Sequence, residues 1–569
     1  MGVAYHAHAR FLDKTGNPIT VPAPSDPATP RAPWWYDWIA ANALSLRQAG
    51  FTAILYPPVC KTSAGSAPTA DGYGVFDQYD LGSKIQMGSL ETRFGSREQL
   101  QRSAAIAHAC GLEVYVDVVM HQLSGGVNGV YRYVGATGDA KVGRFPKNPG
   151  CFRGAPPRRP EDPVPVPSAD FPFGDEFVYV NCEPPGYTID GMTAFGDWLT
   201  RSIDLAGYRV DDTKGMAVSF AHHWMTSASM ATRFVVSEYF DGNPANLYYW
   251  VHNSGMDGRS TVFDFTLHFA LQAMCDDPGF DMIGMDGAGY ASIDPFNAVT
   301  FVDNPDTDLS PGESIIANKL LAYAFILTTD GYPFVFHKDY STEPGCYGLK
   351  PWIDNLVWIH EHLANGPTTT RWNDTKTIVL ERLSAPGLLV GISTDVWNAH
   401  QITCQTAFGP GVSLHDYTGR HPDIFTDAGG RATFTLPSNA FGSGQSYLCF
   451  SRAGLGGPNV VQERSTTQTF FGAFDLDVPP ALPAKAITSG RIWCVAGKPI
   501  EAHIGLPGIV AGGSVALRIL DPNGLVLTSQ VFRGGAGAGA QATARSSGWH
   551  TLEVTASGVD GPVPYVLSV

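Results

Sequence analysis

The sequence predicts an α/β protein: a (β/α)8 barrel with an inserted lobe, followed by an antiparallel β-sandwich and a second C-terminal β-rich module. Three observations carry this. Eight short apolar segments, at 3–8, 52–56, 113–119, 207–210, 234–237, 261–265, 298–303 and 333–337, alternate with amphipathic stretches, as parallel strands joined by crossover helices do. Four of them run into an acid, at Asp117, Asp211, Glu238 and Asp303-Asn304-Pro305-Asp306. Beyond about residue 375 the apolar period changes to two, as in Thr377-Ile-Val-Leu-Glu-Arg382, Leu388-Leu-Val-Gly-Ile392 and Ala432-Thr-Phe-Thr-Leu436.

A closed barrel fits better than an open doubly wound sheet, because a barrel collects functional side chains from the ends of several strands. The gap between the third and fourth strands is too long for one strand-helix unit. Its residues 123–188 are rich in Gly and Pro, which reads as an inserted lobe shaping a cleft. The expected division is therefore 1–122 with 189–375 as barrel, 123–188 as insertion and 376–452 as β-sandwich. A Gly/Ser/Thr/Gln-rich stretch then leads to an accessory β module over 470–569. Its strands are expected at 491–495, 514–520, 525–532, 549–555 and 563–568, interrupted by a flexible Gly534-Gly-Ala-Gly-Ala-Gly-Ala540.

At 569 residues with 44% hydrophobic content the chain holds more than one domain. A net charge of −16 with no basic block argues against nucleic acid or an anionic membrane as partner. Aromatics, 11% of residues, cluster near Gly and Pro at Trp34, Trp35, Tyr36 and Trp38 and at Tyr248, Tyr249 and Trp250; flat side chains in loops suit sugar rings. Nine dispersed cysteines without a CxxC pair read as mostly reduced, buried thiols. With no apolar span of ~18 residues and no charged-then-apolar leader, the cytoplasm is the favoured compartment. The oligomeric state is left open.

The chemistry lies in Gly207-Tyr-Arg-Val-Asp-Asp-Thr-Lys214 and, twenty-seven residues beyond Asp211, in Phe234-Val-Val-Ser-Glu238. One strand-helix-strand unit separates the two acids, placing them at the same ends of adjacent parallel strands. Two carboxylates of differing environment on one cleft are what glycosidic bond cleavage needs. Asp211, beside Arg209, is expected to stay ionised; Glu238, after an apolar strand, to keep its proton; Asp306, to support charge in the transition state. A single acid at a strand exit is more often a helix cap, but four together are not explained that way.

Asp117-Val-Val-Met-His-Gln122, Gly207–Lys214, Val236-Ser-Glu-Tyr239 and Phe301-Val-Asp-Asn-Pro-Asp306 resemble, in order, the four conserved regions of the α-amylase family, glycoside hydrolase family 13. Asp71-Gly-Tyr-Gly-Val-Phe-Asp-Gln-Tyr-Asp-Leu-Gly82 is similar to the segment after that family's second barrel strand. The resemblance spans roughly residues 1–452. It implies a barrel with an inserted B domain and a β-sandwich C domain, acting on α-1,4-glucans with retention. Asp211 matches the nucleophile, Glu238 the general acid/base and Asp306 the transition-state stabiliser. Arg209 and Asp117 match supporting positions, Tyr73 the aromatic platform at the cleavage point, and Lys214 a contact to the neighbouring sugar.

The sequence departs from the family at Gln122, Gly215 and Pro305, where His is common, and at His121, where Asn is common. Gln122 still donates and accepts hydrogen bonds, whereas Pro305 has no side-chain donor. The resemblance also brings Ca²⁺ as an open alternative, with Asp170, Asp175 and Gly215 as candidate oxygen donors and His121 as a poor one. The expected substrate is starch, glycogen or a maltooligosaccharide. Beside an endo-acting hydrolase stand an α-glucan transferase and, with the missing histidines as its evidence, a non-catalytic sugar-binding relative.

Overall fold

The computed structural model of the chain describes residues 2–8, 34–134, 140–141, 144–154, 174–308, 310, 312–343, 345–457, 469–474, 487–494, 496–505, 514–533, 538–546, 548–557 and 563–568. Eight parallel strands close into a barrel in sequence order: β1 Ala4–His6, β2 Ala53–Tyr56, β3 Glu113–Val118, β4 Gly207–Val210, β5 Phe234–Ser237, β6 Thr261–Phe263, β7 Ala298–Phe301 and β8 Tyr332–Phe336. All eight fall within or against the segments that the apolar pattern marks out. Residues two apart on a strand share a face. Ala53 with Leu55, Val299 with Phe301, and Tyr332 with Phe334 therefore all enter one buried cluster with Phe263 and Val236, separate from the larger core.

Helices surround the barrel. Trp35–Ala49 (α1) stops at Gly50, whose φ of 112° a side chain rarely adopts. Arg97–Ala109 (α2) begins with a reciprocal cap, in which Ser96 accepts from the Gln99 N–H and Gln99 accepts from that of Ser96. The buried Arg102–Asp37 ion pair ties α2 to α1. Tyr187–Ile203 (α3) leads into β4, so the insertion lies between β3 and α3. The insertion is stitched to the barrel exit by the antiparallel pair Gln122–Leu123 and Asp175–Glu176, and by the Phe177 N–H to the His121 carbonyl at 2.9 Å.

Past the barrel, Thr368–Asn373, Thr377–Arg382, Leu388–Ser393, Tyr447–Arg452, Ser413–Asp416 and Ile424–Phe425 form an antiparallel sheet. It packs on the pair His400–Gln405 and Arg431–Leu436 through Val379, Leu389, Ile402, Phe434, Leu448 and Phe450. Two four-stranded antiparallel sheets make up the C-terminal module. Here the sequence expectation needs correcting. Strands also occur at Thr469–Phe474, Pro499–Gly505 and Ala538–Thr543. The last takes in part of the Gly/Ala segment expected to be flexible, because pairing with Pro499–Gly505 supplies what its side chains do not. All nine cysteines are free thiols. Among the described residues, no helix is long and apolar enough to cross a membrane.

Candidate active site

Strand register brings the acids together. Arg209 lies opposite Asp117 on one side and Val236 on the other. The next pair across is Val210 with Ser237, so Asp211 and Glu238 emerge level with each other where β4 and β5 end. The hydrogen-bonded ladder continues one step further, from the Asp211 N–H to the Val118 carbonyl and from the Glu238 N–H to the Val210 carbonyl. Arg209 and Asp211 are two residues apart and so point the same way.

The Arg209 guanidinium is the hub. Its Nη1 donates to both Asp117 oxygens at 2.8 and 2.7 Å and to Asp211 Oδ1 at 2.7 Å. Its Nη2 lies 2.8 Å from Glu238 Oε2 and 3.6 Å from Asp306 Oδ2. Four carboxyl groups, one in β3, two just past β4 and β5 and one in the turn after β7, thus share one cation. The rigid fork limits the separation of the bonded Asp211 and Glu238 oxygens to about 8 Å. Tyr73 closes the group: its hydroxyl donates to Asp117 Oδ2 at 2.9 Å, and its ring stacks on that of His8.

Burial decides the protonation. Arg209, Asp117, Asp211 and Glu238 are all buried, while the Asp306 side chain is 38% exposed. Burial pushes Glu238 up to about 7, with the Arg209 charge opposing and the Asp306 charge adding. Asp211 is likewise pushed well above the usual carboxylate range, by burial first and against Arg209, with Glu238, Asp117 and Asp212 adding. The expectation that Arg209 keeps Asp211 simply ionised is therefore corrected: burial outweighs the one guanidinium, which three buried carboxyls and the half-exposed Asp306 all share.

Other sequence candidates stand at varying distance from this hub. Lys214 is engaged within the protein, donating to the Phe240 carbonyl at 2.5 Å and to Asp241 Oδ2 at 2.9 Å. Gln122 Oε1 lies 2.8 Å from His121 Nδ1, which is 3.1 Å from Asp212 Oδ2. Gly215 lies against that imidazole: a Cβ there would stand 2.4 Å from His121 Nε2. The His at 121 thus fills the space that a side chain at 215 would need. Asp212 escaped the sequence reading, yet its N–H donates to Glu238 Oε2 at 3.0 Å from a left-handed backbone that Asp tolerates. Its only signal was the Asp211-Asp212 doublet.

Of the metal candidates, Asp170 lies outside the described residues. Asp175 Oδ2 accepts the Tyr131 hydroxyl at 2.6 Å, and Gly215 meets His121. Among the described residues, no three His, Cys, Asp or Glu stand together as a metal site.

An α-amylase of Geobacillus stearothermophilus is 27% identical over 517 residues, 78% of this chain and 89% of its own. The chain is a relative of the α-amylases. A cytoplasmic α-amylase of Escherichia coli is 24% identical over 70% of this chain and 94% of its own. No family model matches. The fold of this α-amylase relative is that of an acarbose-bound α-amylase from Geobacillus thermoleovorans, with TM-score 0.55 at 14% identity over 79% of this chain and 98% of the other. It is also that of a γ-cyclodextrin glucanotransferase from Bacillus clarkii, with TM-score 0.56 at 16% identity over 99% of this chain and 95% of the other.

Proposed function

We propose that this chain is a retaining glycoside hydrolase that cleaves α-1,4-glucosidic bonds inside starch, glycogen or maltooligosaccharides. The single observation that carries the reading is Arg209 in contact with carboxyl groups in or just past four barrel strands, on the strand-end face where barrel enzymes work. In this reading the Asp211 carboxylate attacks the anomeric carbon while Glu238 gives its proton to the leaving oxygen, leaving a glycosyl ester on Asp211. Glu238, now a carboxylate, takes a proton from water, whose oxygen displaces Asp211. In the sugar-bound state the charge is assigned to Asp211, which accepts from Arg209 Nη1 at 2.7 Å, and the proton to Glu238.

Asp306, half-exposed beside Arg209, is assigned to support the positive charge that develops on the sugar ring. Asp117 and Arg209 hold the two reacting carboxyls, and Tyr73 supplies a flat apolar face. Lys214 and Gln122 are assigned to sugar hydroxyls, Lys214 through release of its bond to Asp241.

Transfer to a second sugar is not favoured. Among the relatives found by sequence, those covered over 89% and 94% of their length are named α-amylases, whereas a cyclomaltodextrin glucanotransferase matches over 40% of this chain and 32% of its own. Calcium is not assigned to Asp175 or Gly215. A cytoplasmic compartment is supported by the nine unpaired thiols and by the name of the Escherichia coli relative.

The test is a time course of sugars released from soluble starch by the protein and by Glu238→Gln, with and without chelator. A spread of intermediate oligosaccharides from the parent, and loss of release in the variant, is expected; release undiminished in Glu238→Gln overturns the assignment of Glu238.

A further inference from the structure

We propose that Lys338 and Lys319 are positioning residues that fix the turn carrying Asp306, an inference that rests on the role given to Asp306 above. The turn begins at Asp303, two residues beyond β7. Asn304 Oδ1 accepts the N–H groups of Asp306 and Thr307 at 2.8 and 2.9 Å. The Asn304 N–H donates back to Thr307 Oγ1 at 3.0 Å, and that hydroxyl donates to Asp303 Oδ1 at 2.9 Å.

Both ends of this turn are anchored by buried charge. Asp303 Oδ2 pairs with the Lys319 ammonium, which is also 2.8 Å from Asp339 Oδ1. Asp308 Oδ2 accepts from Lys338 Nζ at 2.6 Å. Asp339 is held in turn by the Tyr323 hydroxyl at 2.7 Å, and both ammonium groups face the Tyr347 ring, at 4.4 and 6.0 Å. Lys319 opens the helix that follows β7, and Lys338 and Asp339 belong to His337–Tyr340, directly after β8. The Asp306 turn is thereby fastened to two neighbouring elements by five charged side chains, all buried.

Such burial is a costly way to gain stability alone, since apolar side chains of similar volume do as well or better. What it supplies is a fixed geometry. The Arg209 contact to Asp306 Oδ2, at 3.6 Å, is longer than its contacts to the other three carboxyls. The height of the turn therefore sets where the Asp306 carboxylate stands. A group displaced by about 1 Å can cost on the order of a hundredfold in rate.

The test is maltoheptaose hydrolysis at 25 °C by the full chain, with folding checked by circular dichroism. Lys338→Met is expected to lower kcat by about ten- to a hundredfold with KM nearly unchanged, and Lys338→Arg, which keeps the charge, to recover much of that loss. A folded Lys338→Met with the parent kcat overturns the proposal. Should Lys338→Met fail to fold, Asp308→Asn decides: a folded variant with lowered kcat supports the proposal, and one with the parent kcat overturns it. Asp306→Asn is run alongside. If it is slow while Lys338→Met is not, only the positioning role falls; if Asp306→Asn keeps the parent kcat, the role of Asp306 falls and the proposal with it.

Discussion

Arg209 reaches Asp211 and Glu238 with different nitrogens of one guanidinium, Nη1 at 2.7 Å and Nη2 at 2.8 Å. The fork spaces the two carboxyls as well as balancing their charge. Lysine at this position keeps the charge and loses the fork, so Arg209→Lys should behave as a damaged site and not as a conservative change. The expected result is a fall in kcat on the order of a hundredfold, read from initial rates on maltoheptaose.

The pH profile should carry the mark of Glu238. Its carboxyl, pushed up to about 7, serves as the proton donor only while protonated, so kcat/KM should fall as pH rises through that region. The Asp306 charge is one of the causes that raise it. Asp306→Asn removes that charge, lowers the Glu238 value and should move the alkaline limb toward lower pH, besides slowing the reaction. A limb that stays in place, or moves upward, contradicts the coupling.

His121 and Gly215 should behave as a compensating pair. A Cβ at 215 would stand 2.4 Å from the imidazole, so Gly215→Ala is expected to cost about 1–3 kcal/mol in urea unfolding. Added to His121→Ala, where the imidazole is gone, the same change should cost much less. Equal costs in the two backgrounds would show that the two positions do not compete for space.

Residues Trp493 and Trp549 are register partners on adjacent antiparallel strands of the C-terminal module. The same module lies against α1 and α2 of the barrel. A structural role predicts that replacing both by Ala lowers the thermal midpoint while adsorption to insoluble starch stays as it was. Lost adsorption at full stability would instead make the pair a sugar platform.

The barrel was legible because each strand is a short apolar run, and the four acids because each ends such a run. Register alone then dictates that Asp211 and Glu238 meet. The sharing of Arg209 by four carboxyls was not legible, since it depends on side-chain direction above the strand ends. That is also why the expected fully ionised Asp211 was too simple. Lys319 and Lys338 gave no signal: a lone lysine in an apolar helix or loop reads as solvated, and only the fold brings Asp303, Asp308 and Asp339 to them. Ala538–Thr543 lacks the β-branched pattern of a strand and is one by pairing.

The central claim is that Asp211 attacks sugar at a centre where Glu238 supplies the proton. Glu238→Gln incubated with α-maltosyl fluoride, whose leaving group needs no proton, should accumulate a maltosyl ester that peptide mass mapping places on Asp211. An ester on another residue, or turnover of the fluoride with Asp211 replaced by Ala, would contradict it.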